Sequence, residues 1–571
     1  MSSDVASPVW LADPRRTVQV LLPDGRALEG PRGSPLGIFL STLADETPPV
    51  VGGIVNGELR ELSFPIDLDS RVRPVTMGEA DGMRIYRRSL TLLLAAAFEE
   101  LFPDAQLTVD HSVSSGGYYC QVRGRPSLSG EELARLEARM RELVAADLPI
   151  VKESVPLEEA IASFAAKGHH DKERLLAHRR KSHLVFYRLA GLRDYHFGYK
   201  VPSTGYLRWF GLARSGDGFT LRFPRRHRPD ELLPLPEYPK LLATFREYGD
   251  WLDALGIGSA GALNDALLAG RAREIVLVSE ALHESRIADV AAEVARRRAE
   301  IRLILVAGPS ASGKTTFSKR LAVQLLARGV SPVPVEMDSF FVDREKTPRD
   351  EAGEYDYESL QTVDLERLNR DLRALIEGDE VHLPGYDFVA GRRVEGPTVR
   401  LTPGQIVILE GIHGLNPALL PGVPPGRAFR IYVSALTQLN LDRYNRVSTT
   451  DTRMIRRIVR DAAQRGYTAG DTIRRWESVR RGEKRHIFPY QENADVMFNS
   501  ALVYEGSALA PRAEPLLRQV PFGTSEHVEA KRLLAFLEWF LPMEAELIPD
   551  NSILREFLGG SSLRDFRPWP G

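Results

Sequence analysis

One run, Gly308-Pro309-Ser310-Ala311-Ser312-Gly313-Lys314-Thr315-Thr316, restricts what this chain can fold into more than any other stretch. It fits the spacing G-x-x-x-x-G-K-[ST]. In that pattern the glycines let successive backbone N–H groups turn inward around phosphate oxygens, at a helix N-terminus that already favours anions. Before it, Ile301, Leu303, Ile304, Leu305 and Val306 form the near-continuous apolar run of a strand buried on both faces of a parallel sheet. After it, Phe317, Leu321, Val323, Leu325 and Leu326 mark the inner side of a helix from Lys314 to about Ala327, closed at Gly329. Strand, loop and helix in this order predict a nucleotide site in an α/β domain. Lys314 is placed to reach the β and γ phosphates, and the Thr315 hydroxyl to bind Mg²⁺.

The chain of 571 residues is too long for one core, so three or four domains are expected. A net charge of −2 supplies no overall field for nucleic acid, leaving only local basic clusters. The lone Cys120 excludes an internal disulfide framework and fits a reducing cytoplasm. No N-terminal stretch has the basic start and apolar centre of a signal peptide. The longest apolar run, Leu90 to Phe98, is too short to span a bilayer. The expectation is a cytoplasmic protein with no membrane partner, free to form a homo-oligomer.

Downstream of the loop, Val333, Val335 and Met337 predict a second strand ending in Asp338-Ser339-Phe340-Phe341. A carboxylate at the C-terminal end of a strand beside the loop lies where open α/β sheets bind ligands. Phosphoryl transfer to an alcohol needs a group that orients the hydroxyl and accepts its proton, and Asp338 is the candidate; the plainer reading is an Asp capping a helix. A third strand, Gln405 to Leu409, ends in Glu410-Gly411-Ile412-His413. An apolar strand followed by an acid is the pattern that holds Mg²⁺, so Glu410 is the second metal candidate, whereas His413 reads as a packed or capping histidine. Arg453, Arg456, Arg457 and Arg460 recur at helical spacing, with Arg465-Gly466 behind them. Such a run is usually a solvated face. Beside a phosphate loop, a lid whose arginines neutralise the transferring phosphoryl group is favoured.

The front of the chain reads differently. Val18, Val20 and Leu22 alternate before Pro23-Asp24-Gly25, predicting a hairpin, and a short helix around Pro35 to Leu43 with the run Val50 to Leu59 suggests a small β-grasp-like unit ending near Met83. Helices follow over Arg87 to Glu100 and Ser129 to Ala146. His169-His170, His178 and His183 sit among basic residues, and the solvated face is favoured there over a phosphate or RNA contact. The aromatics Tyr195, Phe197, Tyr199, Tyr206, Trp209 and Phe210 suit buried packing better than base stacking. Prolines 229–239 mark a boundary, then helices run over Leu241 to Leu255, Ala260 to Ala269 and Glu274 to Glu300, the last a joint between the two halves. Residues 1 to about 14 read as irregular. A helix from Glu526 to Phe540 and a tail with Ile553 to Phe557 and a final Pro-Trp-Pro, suited to docking on the body, end the chain.

Two resemblances organise these observations. Leu-Pro-Asp-Gly-Arg with Val-Asn-Gly-Glu-Leu, then Leu101-Phe102-Pro103-Asp104 and Gly116-Gly117-Tyr118-Tyr119, resemble the TGS and editing domains of threonyl-tRNA synthetases. That family's H-x-x-x-H pair falls on Arg88 and Leu92 and its Cys-x-x-x-His is missing, so the resemblance implies a kept scaffold without editing chemistry. The loop with Met337-Asp338-Ser339-Phe340, Tyr355-Asp356-Tyr357-Glu358, Pro384-Gly385-Tyr386-Asp387-Phe388, Leu409-Glu410-Gly411-Ile412 and Arg456-Arg457-Ile458-Val459-Arg460-Asp461 resembles the uridine kinase and phosphoribulokinase family. This implies ATP- and Mg²⁺-dependent transfer to a nucleoside 5′-hydroxyl, with uridine or cytidine expected. Asp338 would be the base, Thr315 and Glu410 Mg²⁺ partners, Glu358 a ribose-hydroxyl acceptor, Tyr386 a base-pocket residue, and Arg457, Arg460 and Arg465 substrate or phosphate contacts. Uridine-cytidine kinases carry Asp in place of Glu358 and a base-contacting His in place of Gly391, which bears on which base is accepted.

The expected architecture is therefore multidomain α/β and α+β. A TGS-like β-grasp unit would cover 15–83, an editing-like α+β domain 84–228, a helical connector 229–299, a P-loop kinase with a parallel sheet 300–510, and a C-terminal helix and tail 511–571. The rival readings are a kinase for another hydroxyl compound, such as a sugar phosphate, and an RNA-binding or regulatory protein whose loop is a switch.

Overall fold

The computed structural model describes residues 13–43, 48–113, 116–350, 353–388 and 390–566. The terminal Pro-Trp-Pro and most of the expected irregular start lie outside the described residues. The chain divides into two compact units. One takes in the described residues up to Thr108, those from 116 to Val155, and Leu184–Pro234. The other takes in Val109–Val113, Pro156–His183 and the described residues from Leu235 onward.

In the first unit the alternation at Val18, Val20 and Leu22 builds a strand, Thr17–Leu21, whose buried side feeds a small core with Leu36, Phe39, Val55 and Val72. Asp24 and Gly25 turn the chain into the antiparallel partner Ala27–Pro31. Ser70–Thr76 adds in parallel on the other side, and Val50–Val55 and Glu58–Glu61 complete a five-stranded mixed sheet. Its helix Ala80–Leu101 is longer than the predicted 87–100 and buries Leu90, Leu93, Leu94 and Phe98 completely. Ser129 closes a capping box with Glu132 at the start of Gly130–Ala145. Leu92 is buried in this helix, and the Arg88 guanidinium lies 5.0 Å from the Phe197 ring centroid, so neither position offers a metal ligand. Tyr195, His196 and Phe210 are buried.

The second unit is built on a five-stranded, fully parallel sheet in the order Pro332–Glu336, Ile406–Glu410, Leu303–Ala307, Ala428–Ser434, Val496–Asn499. Leu303–Ala307 is central and buried on both faces, as its apolar run requires. Helix Leu365–Glu377 covers one face through Leu368, Leu372 and Leu375, which share a core with Leu303, Leu305, Val335 and Leu409. An antiparallel hairpin, Glu380–Asp387 with Arg392–Arg400, stands beside the sheet. The helix Ala272–Arg296, expected to join two halves, lies within this unit. It grips the loop helix Lys314–Leu326, where buried Arg320 pairs with Glu280 and Glu284.

In the first unit, buried Lys200 donates to the carbonyls of His196 (3.2 Å), Phe197 (3.3 Å) and Gly198 (2.8 Å). Lys200→Met would strand three acceptors, so scanning calorimetry should show a loss of about 3 kcal/mol or more. An unchanged melting profile would contradict this account of the loop.

Candidate active site

Parallel pairing puts the C-terminal ends of the strands at one edge of the sheet. In register, Glu410 stands level with Val306, just before the phosphate loop, and with Glu336, just before Asp338. The strand ending in Glu410 lies between the other two, so the loop and both acids share one crevice. The loop itself is tightly held. A Cβ on Gly308 would lie 2.0 Å from the Val433 carbonyl oxygen, and Gly313 turns the chain at φ +87° with Ile553 against it. Ala311 also takes a positive φ of 58°, the left-handed turn that aims neighbouring N–H groups inward. Ser312 is fully buried, and its carbonyl accepts from Arg456 and from the Ser500 hydroxyl.

The acids meet the loop directly. The Thr315 hydroxyl donates to Glu410 Oε2 at 3.1 Å, and Lys314 Nζ lies 3.8 Å from Glu410 Oε1 while donating to the Pro309 carbonyl at 3.4 Å. Burial pushes the Glu410 carboxyl up to about 7 against the opposing pull of Lys314, and Asp338, Glu336 and Glu556 push it further. Asp338 follows its strand in the turn Met337–Phe340. Its carboxyl is raised first by burial, with Lys314 and Arg465 drawing it down and Glu336 pushing it up. Glu358 is raised to about 7, first by burial and then by Glu483, with Arg457 and Lys314 pulling the other way; its Oε2 has no hydrogen-bond partner. Tyr386 ends a hairpin strand with its ring edge-on to Phe341 (5.8 Å) and Phe388 (5.2 Å).

The arginine helix, Thr449–Gln464, divides its cations unevenly. The expectation that Arg453, Arg456, Arg457 and Arg460 form one phosphate-facing stripe needs correction at two positions. Arg453 is buried against Glu483 (2.8 Å) and donates to the Ser310 carbonyl (2.9 Å). Arg456 is buried against Glu505 (2.7 Å) and the Ser500 carbonyl (2.8 Å). A buried guanidinium needs a buried carboxylate, and these two have theirs already. Arg457 instead reaches the Ser310 hydroxyl at 3.0 Å, and Asp461 gathers Arg457 (3.2 Å), Arg460 (2.8 Å) and Arg465 (3.8 Å). His413 is fully buried, edge-on to His486, as a packed histidine should be.

Sequence reasoning missed Glu483, Ser500 and Glu556. Glu556 accepts from the Thr316 amide (3.3 Å) and hydroxyl (2.9 Å). No motif marks these three residues, since each meets a group far away in the chain. Among the described residues no cluster of three or more His, Cys, Asp or Glu could hold a metal ion. The donors present, the Thr315 hydroxyl and the raised Glu410 carboxylate, fit Mg²⁺, which takes one or two protein oxygens and completes its shell with phosphates and water.

The loop and the carboxylates thus meet at the C-terminal edge of one parallel sheet. Residues 303–504 match the model of the Phosphoribulokinase / Uridine kinase family. The N-terminal region is similar to threonine–tRNA ligases. That of Polaromonas sp. (strain JS666) is 35% identical over 199 residues, 34% of this chain and 31% of the ligase. That of Marinobacter nauticus is 38% identical over 165 residues, 29% of this chain and 26% of the ligase. The chain thus spans about a third of the length of the ligases it matches first. Among solved structures, phosphoribulokinase from Rhodobacter spheroides aligns at 22% identity and a TM-score of 0.25, covering 35% of this chain and 70% of that one. No helix among the described residues is long and apolar enough to cross a membrane.

Glu410 and Glu358, each near 7 in the folded protein against 4.5 for a free glutamate, hold extra protons in the fold between those values. Their contribution to stability is therefore fully present below pH 4.5 and lost as pH rises through about 7. Without ligands, Glu410→Gln should flatten the fall in melting temperature from pH 5 to 8 and melt higher than wild type at pH 8. Parallel pH profiles for the two proteins would contradict the assignment.

Proposed function

We propose that the C-terminal half transfers the γ-phosphoryl group of ATP to the 5′-hydroxyl of a nucleoside, with uridine or cytidine as the expected acceptor. The observation that carries this reading is the meeting of Lys314, Thr315, Glu410 and Asp338 in one crevice.

Backbone amides of Gly308 to Thr316 would cradle the triphosphate, and Lys314 would draw its terminal oxygens toward the acceptor. Thr315 and Glu410 would hold Mg²⁺, which when bound neutralises charge on the β and γ oxygens. Asp338 would orient the acceptor hydroxyl and take its proton; burial raises its basicity, and Lys314 and Arg465 pull the other way. Arg457, Arg460 and Arg465, held together by Asp461, would meet the transferring group from the arginine helix. Glu358, with a lone acceptor oxygen, suits a ribose hydroxyl. The half-exposed Tyr386 beside Phe341 and Phe388 offers edges and faces to a flat ring, which supports a nucleoside over a sugar phosphate. The front half, with Arg88 and Leu92 at the positions of the editing histidines, is assigned no chemistry.

ADP release measured across pyrimidine and purine nucleosides and sugar phosphates tests this directly. The expected result is turnover with uridine or cytidine, and a drop in kcat of about 10²–10⁴-fold in Asp338→Asn with little change in the KM for ATP. Turnover with sugar phosphates alone, or full activity in Asp338→Asn, would overturn it.

A further inference from the structure

The last described segment packs on the phosphate loop. Ile553, Leu554 and Phe557 are fully buried, and Ile553 lies against Gly313. Lys319 of the loop helix donates to the carbonyls of Leu563 and Arg564, both at 2.8 Å. From the arginine helix, Gln464 donates to the Glu556 carbonyl at 2.7 Å, and the Arg456 guanidinium stands 5.2 Å from the Phe557 ring centroid. The backbone of residue 556 is therefore fixed from two sides.

Its side chain points into the loop. The Glu556 carboxylate accepts from both the amide and the hydroxyl of Thr316, in the first turn of the helix that opens at Lys314. In this loop pattern the first-turn donors are the ones that cradle the α and β phosphates. A carboxylate and a phosphate are both anions and both acceptors, so they cannot share these donors, and Glu410 already adds a second negative group nearby.

We propose that Glu556 is a built-in competitor of the nucleotide, occupying the anion position of the loop until a triphosphate displaces it. The inference rests on the reading of the loop as a nucleotide site. The competition sets the affinity for ATP without touching the acceptor side of the crevice.

Calorimetric titration of ATP with Mg²⁺ into the full chain tests this. Glu556→Gln keeps the shape and removes the charge, and Glu556→Ala removes the contact. Both should bind ATP about three- to tenfold more tightly than wild type, with the acceptor KM unchanged. Equal or weaker binding by both variants, when wild type binds, overturns this inference alone. Absence of ATP binding by all three proteins overturns both the inference and the nucleotide reading beneath it.

Discussion

The site depends on one constraint, the shared register of three parallel strands. Because Leu303–Ala307, Ile406–Glu410 and Pro332–Glu336 run the same way and end level, an anion-binding loop and two acids are forced into contact range. The acids repel one another and pay desolvation together. Lys314 is the cation that makes their proximity tolerable, and it pulls on Glu410, Asp338 and Glu358 alike. An unliganded site of this kind is electrostatically unfinished, with carboxyls held above their usual range. On the proposed reading, Mg²⁺ held by Thr315 and Glu410 would set positive charge against these carboxyls, and a triphosphate would supply acceptors for the loop amides.

The arginine helix shows how charge is rationed around that centre. Two of its arginines anchor the helix from within, through Glu483 and Glu505, and both also reach the carbonyls of the loop. The helix is therefore tied directly to the loop. Arg457, Arg460 and Arg465 are bundled on a single carboxylate, Asp461, whose charge they outnumber. On the proposed reading, such a bundle would retain net positive charge to offer an incoming phosphoryl group.

Much of this was legible in the sequence because it is local or strictly periodic. The loop pattern, the apolar strand before it and the acids after two later strands define the crevice without long-range information. The hairpin at Pro23-Asp24-Gly25 and the cap at Ser129 follow from turn and capping chemistry for the same reason. What the sequence hid are pairings across distance. Glu483 lies 30 positions from Arg453, Glu505 lies 49 from Arg456, and Glu556 lies 240 from Thr316. Helical spacing put four arginines in one stripe, and only the buried acids opposite decide which of them are spoken for. The helix Ala272–Arg296 holds another such pairing, since its Glu280 is buried against Arg320 and Tyr504.

The most direct measurement of the central claim is a crystal structure with ADP, Mg²⁺ and uridine bound together. The account expects the β-phosphate in the Gly308–Thr316 cradle, the metal between Thr315 and Glu410, and the 5′-hydroxyl within hydrogen-bonding reach of Asp338. A metal seated away from Glu410, or a nucleoside whose hydroxyl is remote from Asp338, would contradict it.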